Sequence, residues 1–289
     1  MNQNVKKWLK ASVLTSLLMS TIMVGSTTEA VLLVPDNNTD SGQQSVVSGG
    51  FGNTASGQYS SVVGGGESKD DSSNNFIDGT GNTASGNFST ISGGTNNKTS
   101  GDYSSVSGGS SNRATGLYSS VLGGGISFGE EYGMVTGNTA SGDSSTVAGG
   151  IANTAYGAFS TVTGGANNSA GNTDGENPGW YDAMMNDDSM GQSVSGGEYN
   201  NAVGGYSSIS GGNNNHAHGK FSSISGGSEN KAYGESSSVS GGAQNSAIGR
   251  SSSVSGGWNN VASGPRASVS GGYNNLASEA DSSVTGGEK

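Results

Sequence analysis

Val239-Ser-Gly-Gly-Ala-Gln-Asn-Ser-Ala-Ile-Gly-Arg-Ser-Ser-Ser253 is one copy of a 15-residue phrase. Outward from it, the leading aliphatic residue recurs at Val194, Ile209, Ile224, Val254, Val269 and Val284, always 15 positions from its neighbour. The same step runs through the N-terminal half, from Val47 to Val62, from Phe76 through Ile91 and Val106 to Val121, and from Tyr132 through Val147 to Val162. That makes about fifteen copies of V-S-G-G-x-x-N-x-A-x-G-x-x-S-S. A spacing held this strictly marks a stacked solenoid, in which equivalent positions of successive coils lie about 4.8 Å apart. Three or more glycines and several serines per unit argue against helix. Strands are expected around the Val and around Asn-x-Ala, with Gly-Gly and Gly-x-x turning the chain. The expected fold is all-β, a parallel β-solenoid with two short strands per coil.

Side-chain alternation then assigns faces. The lead position should point inward, as at Val106, Val147, Val162, Val194, Ile209, Ile224, Val239, Val254 and Val269. Six residues on stands Asn, as at Asn112, Asn153, Asn215, Asn230, Asn245 and Asn260. Two further on stands Ala, as at Ala114, Ala155, Ala217, Ala232, Ala247 and Ala262. Asn and Ala share parity, so both should face the interior. Side-chain-to-side-chain hydrogen bonds along the Asn column would satisfy amides that are costly to bury. The core is then one Val column against one Ala column, with glycine at other inward positions letting the two walls approach. So thin a core calls for oligomerisation through one side of the coil.

Composition agrees that this is no conventional enzyme domain. Of 289 residues, 54 are Gly, 3 are Pro, 2 are His and none is Cys. Leu, Ile, Val and Phe make up about 15%, below the roughly 20% of ordinary domains. The absence of cysteine excludes a disulfide scaffold, and scarce proline without a three-residue glycine period excludes collagen. The net charge of -11, with 11 Lys+Arg against 22 Asp+Glu, supplies no basic stripe for nucleic acid.

Residues 1–30 differ from the rest. Lys6, Lys7 and Lys10 precede an apolar stretch, Ala11 to Val24, and small residues follow up to Ala30. This is the three-part pattern of a secretory signal peptide, too short in its apolar part for a membrane span. No second apolar stretch follows, so no transmembrane segment is expected after it. Residues 31–44 are read as a linker or cap and 45–287 as the repeat array. Insertions interrupt the array near 66–75, 123–131 and 171–191.

The unit resembles the head repeat of trimeric autotransporter adhesins, the YadA-like head, which reads roughly S-V-A-I-G-x-x-S-x-A-x-G-x-x. The matches in one copy are Val239, Gly242, Ala247 and Gly249, and the resemblance covers about residues 45–287. It implies a left-handed parallel β-roll, three chains side by side, and binding to host or environmental surfaces such as matrix or glycans. The departures are Gly241 in place of the family's second apolar residue and a coil one residue longer. No neck, heptad stalk or barrel pattern follows the array. The implied location is therefore the cell surface or, without an anchor, the medium.

Three features are candidates for binding. Twelve residues after the lead position comes an aromatic column: Tyr59, Phe88, Tyr103, Tyr118, Phe159, Tyr206 and Phe221. It reads either as a ladder covering a corner or chain interface, or as a ligand-contacting stripe. The longest insertion gathers Trp180, Tyr181, Met184, Met185 and carboxylates, and insertions of solenoids often carry recognition. His216 and His218 flank one inward Ala and should project from one face. Two ligands fall short of the three or four of a zinc site, so no metal or other cofactor is expected. Serines without a neighbouring imidazole give no nucleophile, and the ligand spacing of a calcium loop is incomplete at Asn172 to Glu176. The sequence thus reads as an exported, non-enzymatic, multivalent adhesive head whose expected partners are two further copies of itself, as a homotrimer. The alternative is a monomeric structural, ice-binding or glycan-binding solenoid. That alternative needs a uniform flat hydroxyl array, whereas the outward positions are read as a mixture of Ser, Thr, Asn and charges.

Overall fold

A computed structural model describes residues 37–65, 69–70, 76–77, 81–127, 135–171 and 190–288. These belong to one compact unit, Asn37–Lys289. The unit is a parallel β-solenoid of fourteen rungs, each contributing one two-residue strand to each of two 14-stranded parallel sheets. One sheet carries the Ala column, with Lys231–Ala232 beside Ser246–Ala247. The other carries the Val column, with Ser238–Val239 beside Ser253–Val254. Along much of the array a third line of isolated parallel bridges joins the residue after Gly-Gly, as from Ala243 to Trp258 and on to Tyr273.

The inward columns are where the period put them. The Val, Ile, Asn and Ala column positions named above are at most 1% exposed, apart from Val47 and Val284 in the end rungs, which are partly buried. Two lead positions do not head coils. Val62 pairs in register with Ile91, and Ala55 with Ala84, so the intervening chain is one insertion. Within it, Lys69–Asp70 and Phe76–Ile77 form an antiparallel hairpin. Val121 likewise pairs directly with Val147, which leaves no coil for Tyr132 to lead. A second hairpin there pairs Ile126–Ser127 with Val135–Thr136. Val162 pairs with Val194 across the third insertion. The array keeps its register because each insertion leaves from a turn and returns to it.

The Asn column works differently from the expected side-chain ladder. Asn230 Oδ1 accepts from the backbone N–H of Asn245 at 3.0 Å. Its Nδ2 donates to the carbonyls of Gly226 and Gly242, both at 3.0 Å. The backbone N–H of Asn230 is itself served by Asn215 Oδ1. The amide therefore replaces a missing backbone partner at a corner, once per rung, and so satisfies groups that are expensive to bury alone. Side-chain-to-side-chain bonds supplement this at Asn215 and Asn275.

Glycine also has a different reason from the one its position suggested. A Cβ on Gly242 (φ +81°) would lie 2.6 Å from Asn245 Nδ2 and would collide with the carbonyl oxygen of Gly257 in the next rung. The close approach is rung to rung rather than wall to wall.

A further inward column escaped the sequence reading. Thirteen residues after the lead comes a buried serine, as at Ser60, Ser119, Ser222 and Ser237. At Ser104 the hydroxyl donates to the Gly101 carbonyl at 2.6 Å. At Ser222 the Oγ has no partner, and in another rung the same position is Ala267. Because an unpaired buried hydroxyl costs free energy that a methyl does not, Ser222→Ala should change stability by less than about 1 kcal/mol and towards stabilisation. A urea midpoint lowered by more than that would show that the hydroxyl is hydrogen-bonded in solution.

Candidate functional site

The seven aromatic residues form one column on the turn that leads from the Ala sheet to the Val sheet. Each adopts a left-handed backbone, with φ of 56–57°, and each donates its N–H back to the preceding rung, as Tyr103 does to the Asn87 carbonyl at 2.8 Å. This conformation throws the ring outward, and the rings are 42–57% exposed. Tyr59, Phe88, Tyr103 and Tyr118 stack in an unbroken run, with centroids 4.8, 4.8 and 4.9 Å apart and planes 12°, 1° and 17° from parallel. Tyr206 and Phe221 stack at 5.5 Å, with Lys220 Nζ 5.2 Å from the Phe221 centroid. Ser144 and Gly191 occupy the column on either side of Phe159. A Cβ on Gly191 would lie 2.7 Å from the Tyr206 ring, so glycine lets that ring lie flat. Within the run the ring faces cover one another. What remains outward is an apolar strip of ring edges, suited to packing against another surface more than to stacking on a sugar.

Towards the C-terminal rungs the column becomes Ser236, Ser251, Arg266 and Asp281. Arg266 Nε donates to Asp281 Oδ1 at 2.5 Å and Nη2 to Oδ2 at 2.7 Å. That hydrogen-bonded pairing raises the Arg266 pKa and lowers that of Asp281. Both side chains are exposed, so the pair fixes local geometry more than stability.

His216 and His218 do project from one face of the Ala sheet, with ring centroids 5.7 Å apart. Among the described residues no cluster of three or more His, Cys, Asp or Glu is placed to hold a metal ion. His216 Nε2 lies 3.2 Å from Asn214 Oδ1. His218 meets the edge of Tyr233 at 5.0 Å. Partial burial lowers the pKa of both rings, with a smaller contribution from Lys231 on His216 and from His216 on His218.

Beside His216 runs a groove of about 400 Å³ that crosses four successive rungs. Its lining is polar throughout: Asn214 and His216, then Glu229 and Lys231, then Gln244 and Ser246, then Asn259. Gln244 Nε2 donates to Glu229 Oε2 at 3.0 Å. Apart from His216, sequence reasoning missed these residues. The available signal was that they fill the outward positions around the fixed Asn and Ala, where the fold makes no demand.

The outward face of the Val sheet corrects another expectation. The residues flanking each lead position are almost all Ser or Thr, from Ser61 and Thr90 to Ser283 and Thr285, and none is charged. The mixture of amides and charges lies on the Ala sheet instead. Trp180, Tyr181, the Asn172 to Glu176 stretch, and residues 1–30 lie outside the described residues. Among the described residues no helix is long and apolar enough to cross a membrane. No protein-family model matches the chain, and no curated protein does.

Proposed function

We propose that this chain is an exported, non-enzymatic adhesive head that binds host or environmental surfaces as a homotrimer, at the cell surface or in the medium. The observation that carries the reading is the register: fourteen rungs hold equivalent outward positions at one spacing, and Ser or Thr recurs beside nearly every lead residue. A weak contact made by one rung then recurs along the array, and affinity accumulates through multivalency rather than through one deep pocket. The exposed aromatic strip supports contact between chains, because contiguous apolar surface on a soluble protein marks an interface. The YadA-like phrase points the same way.

Light scattering and sedimentation of residues 31–289 should give three times the chain mass, with a β-rich far-UV circular dichroism spectrum. Beads coated with the same protein should be retained on cell layers or matrix above albumin-coated beads. Retention no better than albumin would reject the adhesive reading. A β-rich monomer would reject the trimer. It would favour a second reading, a lone solenoid presenting its uncharged Ser/Thr face, which that face's uniformity supports.

A further inference from the structure

The fold fixes Asn and Ala inside each rung and leaves the neighbouring outward positions free. In four consecutive rungs those positions carry a combination with no structural task. Glu229 and Lys231 stand two residues apart on one face, offering a carboxylate acceptor beside an ammonium donor. One rung below are Asn214 and His216, and above are Gln244, Ser246 and Asn259. The groove therefore presents donors and acceptors at several heights, with planar amides among them. Tyr233 lies just past the strand Lys231–Ala232, two residues beyond Lys231 and exposed like it, in contact with His218. A polar trough with an aromatic flank matches a molecule that has a hydroxylated rim and an apolar C–H face.

We propose that this groove is a saccharide-binding site for a neutral hexose-based glycan, and that it supplies ligand specificity to the adhesive head. The inference rests on the adhesive reading for its purpose but on the groove alone for its chemistry. A neutral ligand is favoured over an acidic one because the chain carries a net charge of -11 and the groove contains Glu229. A protein or nucleic-acid segment would need a longer apolar or basic surface than these rungs provide. His216 adds a condition. With Asn214 Oδ1 as the acceptor, Nε2 carries the proton and the neutral ring keeps Nδ1 as an acceptor. Partial burial, and to a lesser degree Lys231, hold its pKa below the ordinary imidazole value of about 6.5, so the ring is neutral at pH 7.5. Below the shifted value it gains a charge facing Lys231 across the rung and loses that acceptor. Glu229 in the groove and His218 on the same strand are the other titratable groups nearby, Glu229 favouring the cation and His218 opposing it.

The test is saturation-transfer NMR and titration with cellobiose, lactose and N,N′-diacetylchitobiose on residues 31–289, at pH 7.5 and at a series of lower pH values. At least one sugar should bind at pH 7.5. Glu229→Ala and Lys231→Ala, both at exposed positions, should each weaken it about tenfold, the loss of one hydrogen bond to a charged group. Tyr103→Ala, in the aromatic column, should leave it unchanged, and binding should weaken as pH falls through the lowered His216 pKa and the ring protonates. Circular dichroism reports whether each variant is folded. No saturation transfer from any of the three sugars would overturn the proposal, as would binding that survives both groove variants or is lost only in Tyr103→Ala. Sugar binding without retention of coated beads would reject the adhesive reading and leave the groove standing. Bead retention without sugar binding would do the reverse.

Discussion

Asn230→Ala should destabilise the array by roughly 2–6 kcal/mol, since it leaves two backbone groups without their partner at about 1–3 kcal/mol each. Those groups are the Asn245 N–H and the Gly226 carbonyl; the Gly242 carbonyl loses one of two bonds and keeps the one from the Ser228 N–H. A methyl reaches none of them, and the site is fully buried, so water cannot take over without opening the coil. Because each rung contacts only its neighbours, the loss should be local first. Hydrogen exchange of the Asn245 amide should accelerate before the ends of the array respond. Asn230→Asp separates the two halves of the amide's work. It keeps an oxygen for the Asn245 N–H but turns a second oxygen towards two carbonyls. Its carboxyl is then stable in the fold only when protonated, so its folded pKa lies above the unfolded value of about 3.9. A raised folded pKa means stability is retained below the unfolded value and lost as pH rises through the folded one. The variant should be weakest near neutral pH and recover in acid. A urea midpoint for Asn230→Ala within 1 kcal/mol of the parent would show that these corners are hydrated, and the column decorative.

The period made most of this fold legible because a solenoid repeats one structural demand. Val239, Asn245 and Ala247 are fixed by parity and spacing alone, and the structure buries all three. The failures have physical reasons. Phe76 sits one coil length before Ile91 and is followed by Asn82 and Ala84 at the right distances, so it imitates a lead residue. The preceding half-coil betrays it, since Ser68 and Asp70 stand where Asn and Ala belong. The serine column went unread because serine inside a coil and serine outside it look alike in sequence. Ser222 and Ser223 differ in face only through parity, which the turn resets. The aromatic column was visible as a column, but its stacking depends on the left-handed backbone at Tyr103 and its equivalents, which no composition rule supplies. The groove was invisible for a different reason. Outward residues vary freely, so the 15-residue period aligns Asn214, Glu229 and Gln244 in one column without marking that column as a groove.

Gly242→Ala and Gly241→Ala, at adjacent positions, should have opposite effects on stability. At Gly242 a Cβ meets the Gly257 carbonyl oxygen and, at 2.8 Å, its nitrogen, with φ at +81°. That oxygen cannot step aside freely. It accepts from the Ala243 N–H at 3.0 Å and from Asn245 Nδ2 at 3.0 Å. Relieving the clash therefore breaks two hydrogen bonds and separates two rungs, in addition to the strain of a left-handed alanine. The expected loss is above about 4 kcal/mol, the range reserved for a named structural fault. At Gly241 a Cβ meets nothing within 4 Å, and its carbonyl still serves Asn245 Nδ2. Alanine there restricts the unfolded chain and should leave stability unchanged or raise it by about 0.4–1 kcal/mol. Thermal and urea unfolding of the two variants decides the matter. Equal losses would mean that Gly-Gly serves turn flexibility in general. A loss confined to Gly242→Ala would mean that the second glycine is the point where successive coils touch, and that the rung spacing is set by backbone meeting backbone.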